Sequence, residues 1–302
     1  MYDIIVVGAG PAGLTAALYA RRQNKSVLVL EKNSFGGQTV FSPKIENYPG
    51  FLEMSGMEFS DKLVEQVLAQ GAELEMEGAE SIRVNENTFT VVTEYGEHEA
   101  KAVILACGAR HRMLGLTGEE DYVGSGISFC AVCDGAFYKD KTVAVIGGGN
   151  SALQEALLLS ETCKQVHIVQ NLASLTGEEQ LVKALEAKEN VDVTFNTVVT
   201  GLEGDGELSA ILLKNETDGT TARMELDGMF VAIGLIPDND VAKGLIPLDA
   251  YGYIPADESC LTSTAGIFVA GDCRTKKIRQ IATAIADGAT AALAACKFVE
   301  SK

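Results

Sequence analysis

Short runs of apolar, β-branched residues recur along the chain, separated by glycine turns and alanine-rich stretches. The first run is Asp3 to Val7. Gly8-Ala9-Gly10-Pro11-Ala12-Gly13 follows, then an Ala/Leu-rich stretch to about Gln23, then Ser26 to Leu30 ending in Glu31. Strand-length apolar runs bounded by turn residues, with good helix formers between them, predict strand, glycine turn, helix, strand. The order returns with Lys141 to Ile146 as strand, Gly147-Gly148-Gly149-Asn150-Ser151-Ala152 as turn, Leu153 to Glu161 as helix and Gln165 to Val169 as strand. Gly8 to Glu31 is 23 positions, and so is Gly147 to Gln170. The expected fold class is therefore α/β, with two Rossmann-like dinucleotide folds of the three-layer ββα type.

Length and composition agree with this. At 302 residues the chain is long enough for two domains, each with its own core. Hydrophobic residues make up 47%, with 31 Gly and only 6 Pro, a globular rather than a disordered composition. The apolar runs near Ile4 and Val231 have strand length and fall short of the roughly 18 residues a membrane helix needs. No basic stretch precedes the first strand and no small-residue cleavage site follows it, so a cytoplasmic protein is expected. A formal net charge of −18 repels phosphate backbones and anionic lipid heads, so neither nucleic acid nor a membrane is an expected partner.

The glycine turns suit dinucleotides. Gly8 permits a tight turn, Gly10 lets backbone approach a pyrophosphate, and Gly13 lets helix and strand pack closely. The helix start offers free N–H groups and a positive dipole end, and Glu31 sits where a carboxylate can accept ribose hydroxyls. In the second copy Gly147 and Gly149 recur and Ala152 replaces the third glycine, an accepted variant. It lacks the closing acid. Gln170-Asn171-Leu172-Ala173-Ser174-Leu175-Thr176 has neither a carboxylate for a ribose nor arginines for a 2′-phosphate.

Seven cysteines, an odd number, do not suggest a structural disulfide framework. Cys107, Cys163, Cys260, Cys273 and Cys296 stand singly and read as buried small hydrophobes. Cys130 and Cys133 form a Cys-Ala-Val-Cys pair, the spacing of a redox-active dithiol whose lowered pKa supplies an attacking thiolate. Half a zinc site is the alternative, but zinc needs four ligands. No second such pair exists, and His98, His111 and His167 show no ligand spacing, so no metal is expected. Attack on a disulfide releases a thiolate that needs a proton. Asp134 is the nearest acid in sequence, provided burial raises its pKa; otherwise it is a turn residue before Gly135.

Together these residues resemble the low-molecular-weight, bacterial-type thioredoxin reductases over essentially the whole chain. Gly36-Gly37-Gln38, Ile45-Glu46-Asn47-Tyr48-Pro49-Gly50, Ala106-Cys107-Gly108-Ala109, Ala232 to Pro237, and Gly271-Asp272 with Arg279-Gln280 add to the likeness. The resemblance implies an FAD domain split between residues 1–112 and 242–302. A nucleotide-binding-like domain, 113–241, is inserted within it and carries the dithiol. It implies FAD contacts from Gly8, Gly10, Pro11, Ala12, Gly13, Glu31, Lys32, Gly37, Gln38, Asn47, Ala109, Gly271, Asp272, Arg279, Gln280 and Ile281. A nucleotide cradle is implied at Gly147, Gly149, Asn150, Ser151 and Ala152, and catalysis by Cys130, Cys133 and Asp134. The segments Gly108 to Gly118 and Gly234 to Pro247 would be the hinge.

The implied activity is reduction of a thioredoxin disulfide by a homodimer, with electrons passing from a donor to FAD and then to the dithiol. One departure concerns the donor. The family's NADPH-gripping arginines fall here on Asn171, Leu172 and Thr176, and each lost charge-assisted contact costs about 1.5–3 kcal/mol. NADH, reduced ferredoxin, or NADPH held by other contacts remain as donors. The alternative activities are a flavin-bound redox sensor, or reduction of another protein disulfide, as in a peroxiredoxin system.

Overall fold

The computed structural model describes residues 1–42 and 44–302. The chain forms two Rossmann-like α/β units, residues 1–110 with 236–302 and, between them, residues 111–235. These junctions fall a few residues before the expected boundaries at 112 and 241. The joining segments pair with each other, Ala109–His111 against Leu235–Pro237. The apolar run near Val231 is thus two strands, Gly228–Val231 and Leu235–Pro237, parted where Gly234 takes a φ of 108°.

In the first unit a seven-stranded sheet carries Tyr2–Val7 between Val27–Leu30 and Glu97–Leu105, both parallel to it. Glu97–Leu105 pairs near its start with antiparallel Phe89–Thr93 and at its end with parallel Ile267–Val269. Helices α1 (Pro11–Arg22), α2 (Gly56–Ala69) and, at the chain's end, a 20-residue helix, Ile281–Glu300, belong to this unit. The core on one side of the sheet joins Ile4, Val6 and Val29 to Leu14, Ala17 and Ala292 of the helices. The other side joins Ile5, Leu28 and Val103 to Val241, Ile246 and Ile254. Ser55 caps α2 reciprocally with Glu58.

The second unit has a five-stranded parallel sheet in the order Val191–Thr194, Gln165–Val169, Thr142–Ile146, Gly228–Val231, Ile127–Ser128. An antiparallel meander, Thr197–Asp205, Glu207–Asn215 and Thr221–Glu225, shares a core with it through Val199, Ile211, Leu213 and Met229. The helices are α3 (Ala131–Asp134), α4 (Asn150–Ser160) and α5 (Glu179–Glu186), which makes the C-terminal helix α6. Helix α4 begins at Asn150, not Leu153: Asn150, Ser151 and Ala152 are its first turn.

Helix α6 is the one element among the described residues long and apolar enough, by length and composition, to cross a membrane. The strand-length apolar runs of the sequence do not include it. Its burial of Ala291, Ala292 and Ala295 in the first unit's core, and of Asp287 in an ion pair with Arg274, fits a core helix.

Candidate functional site

In the first unit the glycine turn is built by close backbone contact. A side chain on Gly13 would meet the Gly8 carbonyl oxygen at 1.8 Å, and one on Gly8, whose φ is 103°, the Ala106 oxygen at 2.3 Å. A side chain on Gly10 would meet nothing within 4 Å. Space therefore stands open beside Gly10, at the start of α1, whose N-terminus has no side-chain cap. Glu31 is buried, with one carboxylate oxygen accepting from Ala9 N at 2.8 Å and the other from Asn33 N at 2.9 Å. It ties the turn to the second strand and keeps lone pairs for a further donor. A cavity of about 210 Å³ runs past Gly8, Glu31, Lys32, Gly78, Cys107 and Asp238, with Lys32 paired to Asp238.

Several residues distant in sequence meet here. A side chain on Gly37 would lie 3.2 Å from Gly10 Cα, and Gly271 approaches Ala12. Asn47 Nδ2 donates to Gln280 Oε1 at 3.2 Å, and Gln38 lies in the 3-10 turn Gly37–Phe41. Gln280 caps α6, which opens at Ile281, and Arg279 stacks over Tyr253 at 4.4 Å. Asp272 Oδ1 is buried with no hydrogen-bond partner among the described residues. Burial raises its pKa, against the charges of Lys276 and Arg279. An open glycine cradle, an orphaned carboxylate oxygen and a cavity along the second strand fit FAD. Ala109 lies on the joining strand Ala109–His111, two residues after Cys107, which lines the cavity.

In the second unit Gly147, with a φ of 127°, packs on the Ala232 carbonyl, and Ala152 is buried behind it. Beside Gly149 the nearest atom to an added side chain would be Thr176 Oγ1 at 3.8 Å. Asn150 Oδ1 accepts from Glu178 N at 2.7 Å, and Ser151 is exposed. Gln170 is 3% exposed and donates from Nε2 to Ser174 O at 3.1 Å.

Cys130 and Cys133 form a disulfide. Cys130 caps α3, with Cys133 N donating to Cys130 Sγ at 3.1 Å. Ser128 Oγ accepts from Cys130 N at 3.1 Å and donates to Asp134 Oδ2 at 2.6 Å, so one hydroxyl links the disulfide segment to the acid. Burial raises the Asp134 pKa, against the Ser128 hydrogen bond, and its Oδ1 has no partner among the described residues. Burial of this kind favours the protonated form of a carboxyl group over its ordinary state.

Two neighbours escaped the sequence reading. Glu155 of α4 has a buried Oε2 with no partner among the described residues, and its pKa is pushed up to about 8 by burial and then by the charge of Asp134. His111 stacks on Phe129, next to Cys130, with ring centroids 4.5 Å apart, and burial lowers its pKa to about 4. No His, Cys, Asp or Glu group with metal-binding geometry occurs among the described residues. The single cysteines are buried except the half-buried Cys107. Burial holds the Cys107 and Cys273 thiols above their usual pKa, which keeps them unreactive.

Residues 2–288 match the family model of pyridine nucleotide-disulphide oxidoreductases. The chain belongs to that family. It is an oxidoreductase, and membership carries with it the use of a flavin and a pyridine nucleotide. A thioredoxin reductase of Treponema pallidum is 39% identical over 99% of this chain and 98% of its own. The crystal structure of the Streptococcus pyogenes thioredoxin reductase, also 39% identical, covers 100% of this chain and 99% of its own with a TM-score of 0.95. The atypical thioredoxin reductase TRi of Desulfovibrio vulgaris Hildenborough is 31% identical, with a TM-score of 0.55 over 100% of this chain and 99% of its own.

Proposed function

We propose that the chain is an FAD-dependent thioredoxin-disulfide reductase, with electrons leaving through Cys130 and Cys133. The observation that carries this is the Cys130–Cys133 disulfide, linked through Ser128 to the half-buried acid Asp134 in a chain of this family. Bound here, FAD would supply two-electron chemistry between a donor and the disulfide. Gly8, Gly10, Pro11, Ala12 and Gly13 would receive its pyrophosphate, Glu31 and Lys32 its ribose end, and Asp272 its ribityl chain. Gly37, Gln38, Asn47, Ala109, Arg279, Gln280 and Ile281 would complete the contacts.

The chain's own chemistry is thiol–disulfide exchange. One thiolate of the reduced pair attacks a sulfur of the thioredoxin disulfide, and that bond breaks as a mixed disulfide forms. The thioredoxin sulfur released takes the Asp134 proton. The second cysteine gives its proton to the Asp134 carboxylate, which restores the acid, and then attacks the mixed disulfide; this reforms the Cys130–Cys133 bond and frees the other thioredoxin thiolate.

NADH is the donor in this reading. The open backbone at Gly149, with Asn150, Ser151 and Ala152 starting α4, supports a dinucleotide. The uncharged Asn171, Leu172 and Thr176 weigh against the 2′-phosphate of NADPH. One observation favours reduced ferredoxin as a second reading: Gln170, where a ribose-binding acid belongs, is uncharged and turned onto Ser174. Anaerobic bleaching of the bound flavin by NADH, ferredoxin and NADPH in turn tests both readings. NADH is expected to bleach fastest. Bleaching by ferredoxin alone would replace the NADH reading, and a colourless protein would overturn the flavin.

A further inference from the structure

A buried carboxylate stands in the apolar first half of helix α6, and no step above uses it. Asp287 of α6 is 5% exposed. Its Oδ2 accepts from Gly271 N at 3.0 Å, from Arg274 Nε at 2.8 Å and from Lys276 Nζ at 2.9 Å, and its Oδ1 from Arg274 Nη2 at 2.8 Å. Burial pushes its pKa up, and the hydrogen bonds from Arg274 and Lys276 outweigh that, holding it below the usual range. Arg274 is itself 2% exposed. A buried ion group of this kind is a poor source of stability, since well-packed apolar residues do as well. What it supplies is position.

The position is that of Gly271-Asp272. Gly271, with a φ of 81°, lies so near α1 that a side chain there would come within 2.9 Å of Ala12 Cβ. Gly288, next to Asp287, lies so near that one would meet the Ala12 oxygen at 2.2 Å. Asp287 therefore joins three pieces at one point: the backbone before Asp272, the helix α6, and through its neighbour the first glycine turn. Asp272 Oδ1, which this clamp sets in place, is buried and has no hydrogen-bond partner among the described residues.

We propose that Asp287, with Arg274 and Lys276, is the positioning residue of the flavin site, clamping Gly271-Asp272 against the first glycine turn so that the Asp272 carboxylate is held for a hydroxyl of the ribityl chain. This rests on the FAD reading above. The test is the FAD dissociation constant, measured by flavin fluorescence on dilution of the holoprotein, for the parent, Asp287→Asn, Asp272→Asn and the double variant. Each single variant is expected to weaken FAD at least tenfold, and the double no further than Asp272→Asn alone, because Asp287 acts through Asp272. An unchanged constant in Asp287→Asn, or single effects that multiply in the double, overturns the clamp. Should Asp287→Asn not fold, Lys276→Gln leaves Gly271 N and Arg274 bonded and is expected to weaken FAD two- to fivefold; no change there overturns the proposal equally. A parent that binds no FAD rejects the flavin reading itself, a separate outcome.

Discussion

Replacing Glu155 by Gln changes one protonation equilibrium and almost nothing else in shape. The Glu155 carboxyl has an ordinary pKa of 4.5 and one of about 8 in the fold. Between those values the folded protein holds a proton that the unfolded chain has released, so stability falls as pH rises. The contribution is fully present below pH 4.5, declines through neutrality and is gone above about pH 8. Each unit is worth about 1.4 kcal/mol, so the loss reaches about 3 kcal/mol by pH 7. Gln cannot ionise and escapes it. Glu155→Gln is therefore expected to gain about 3 kcal/mol over the parent between pH 4.5 and 7, whatever the offset at low pH. With no Trp in the chain, urea unfolding followed by far-ultraviolet circular dichroism at both pH values is the assay. A parent–variant difference that stays constant with pH would refute the buried, protonated Glu155.

Other substitutions probe the sites directly. Gly13→Ala puts a methyl group into the Gly8 carbonyl and is expected to yield protein with less than a tenth of the parent's bound flavin, read as the visible absorbance ratio after purification. Cys133→Ser should keep its flavin and lose thioredoxin-dependent turnover at least a thousandfold; turnover within tenfold of the parent would reject the dithiol. Asn171→Arg with Leu172→Arg should lower the Michaelis constant for NADPH at least tenfold, since each charge-assisted contact contributes about 1.5–3 kcal/mol. No change would mean that nicotinamide dinucleotides do not use this cradle.

Much of this architecture was legible because it is local. A β-branched run, a glycine turn and an alanine-rich helix lie within thirty residues of one another at each turn, so period and spacing disclose them. The start of α4, at Asn150 rather than the expected Leu153, also has a local reason. Asn150 and Ser151 read as turn residues, yet they serve as a helix's first turn, where their side chains bond Glu178 or face solvent. The missed residues share a different cause. Asp287 meets Gly271, Glu155 feels Asp134, and His111 stacks on Phe129 only after distant segments pack together. No spacing rule connects them. A carboxylate in an apolar helix, as at Asp287, was the one visible hint, since such a group must find buried donors.

Electrons leaving through Cys130 and Cys133 are the heart of this account, and one measurement reaches them without a donor. The flavin of the holoprotein is photoreduced under anaerobic conditions, oxidised thioredoxin is added, and the return of the visible flavin band is followed. The parent should regain the band as thioredoxin thiols appear, four per flavin, two from the reduced dithiol and two from the flavin, while Cys130→Ser and Cys133→Ser remain bleached. A parent flavin that stays reduced, or a Cys133→Ser flavin that reoxidises as fast as the parent's, would contradict the proposed route.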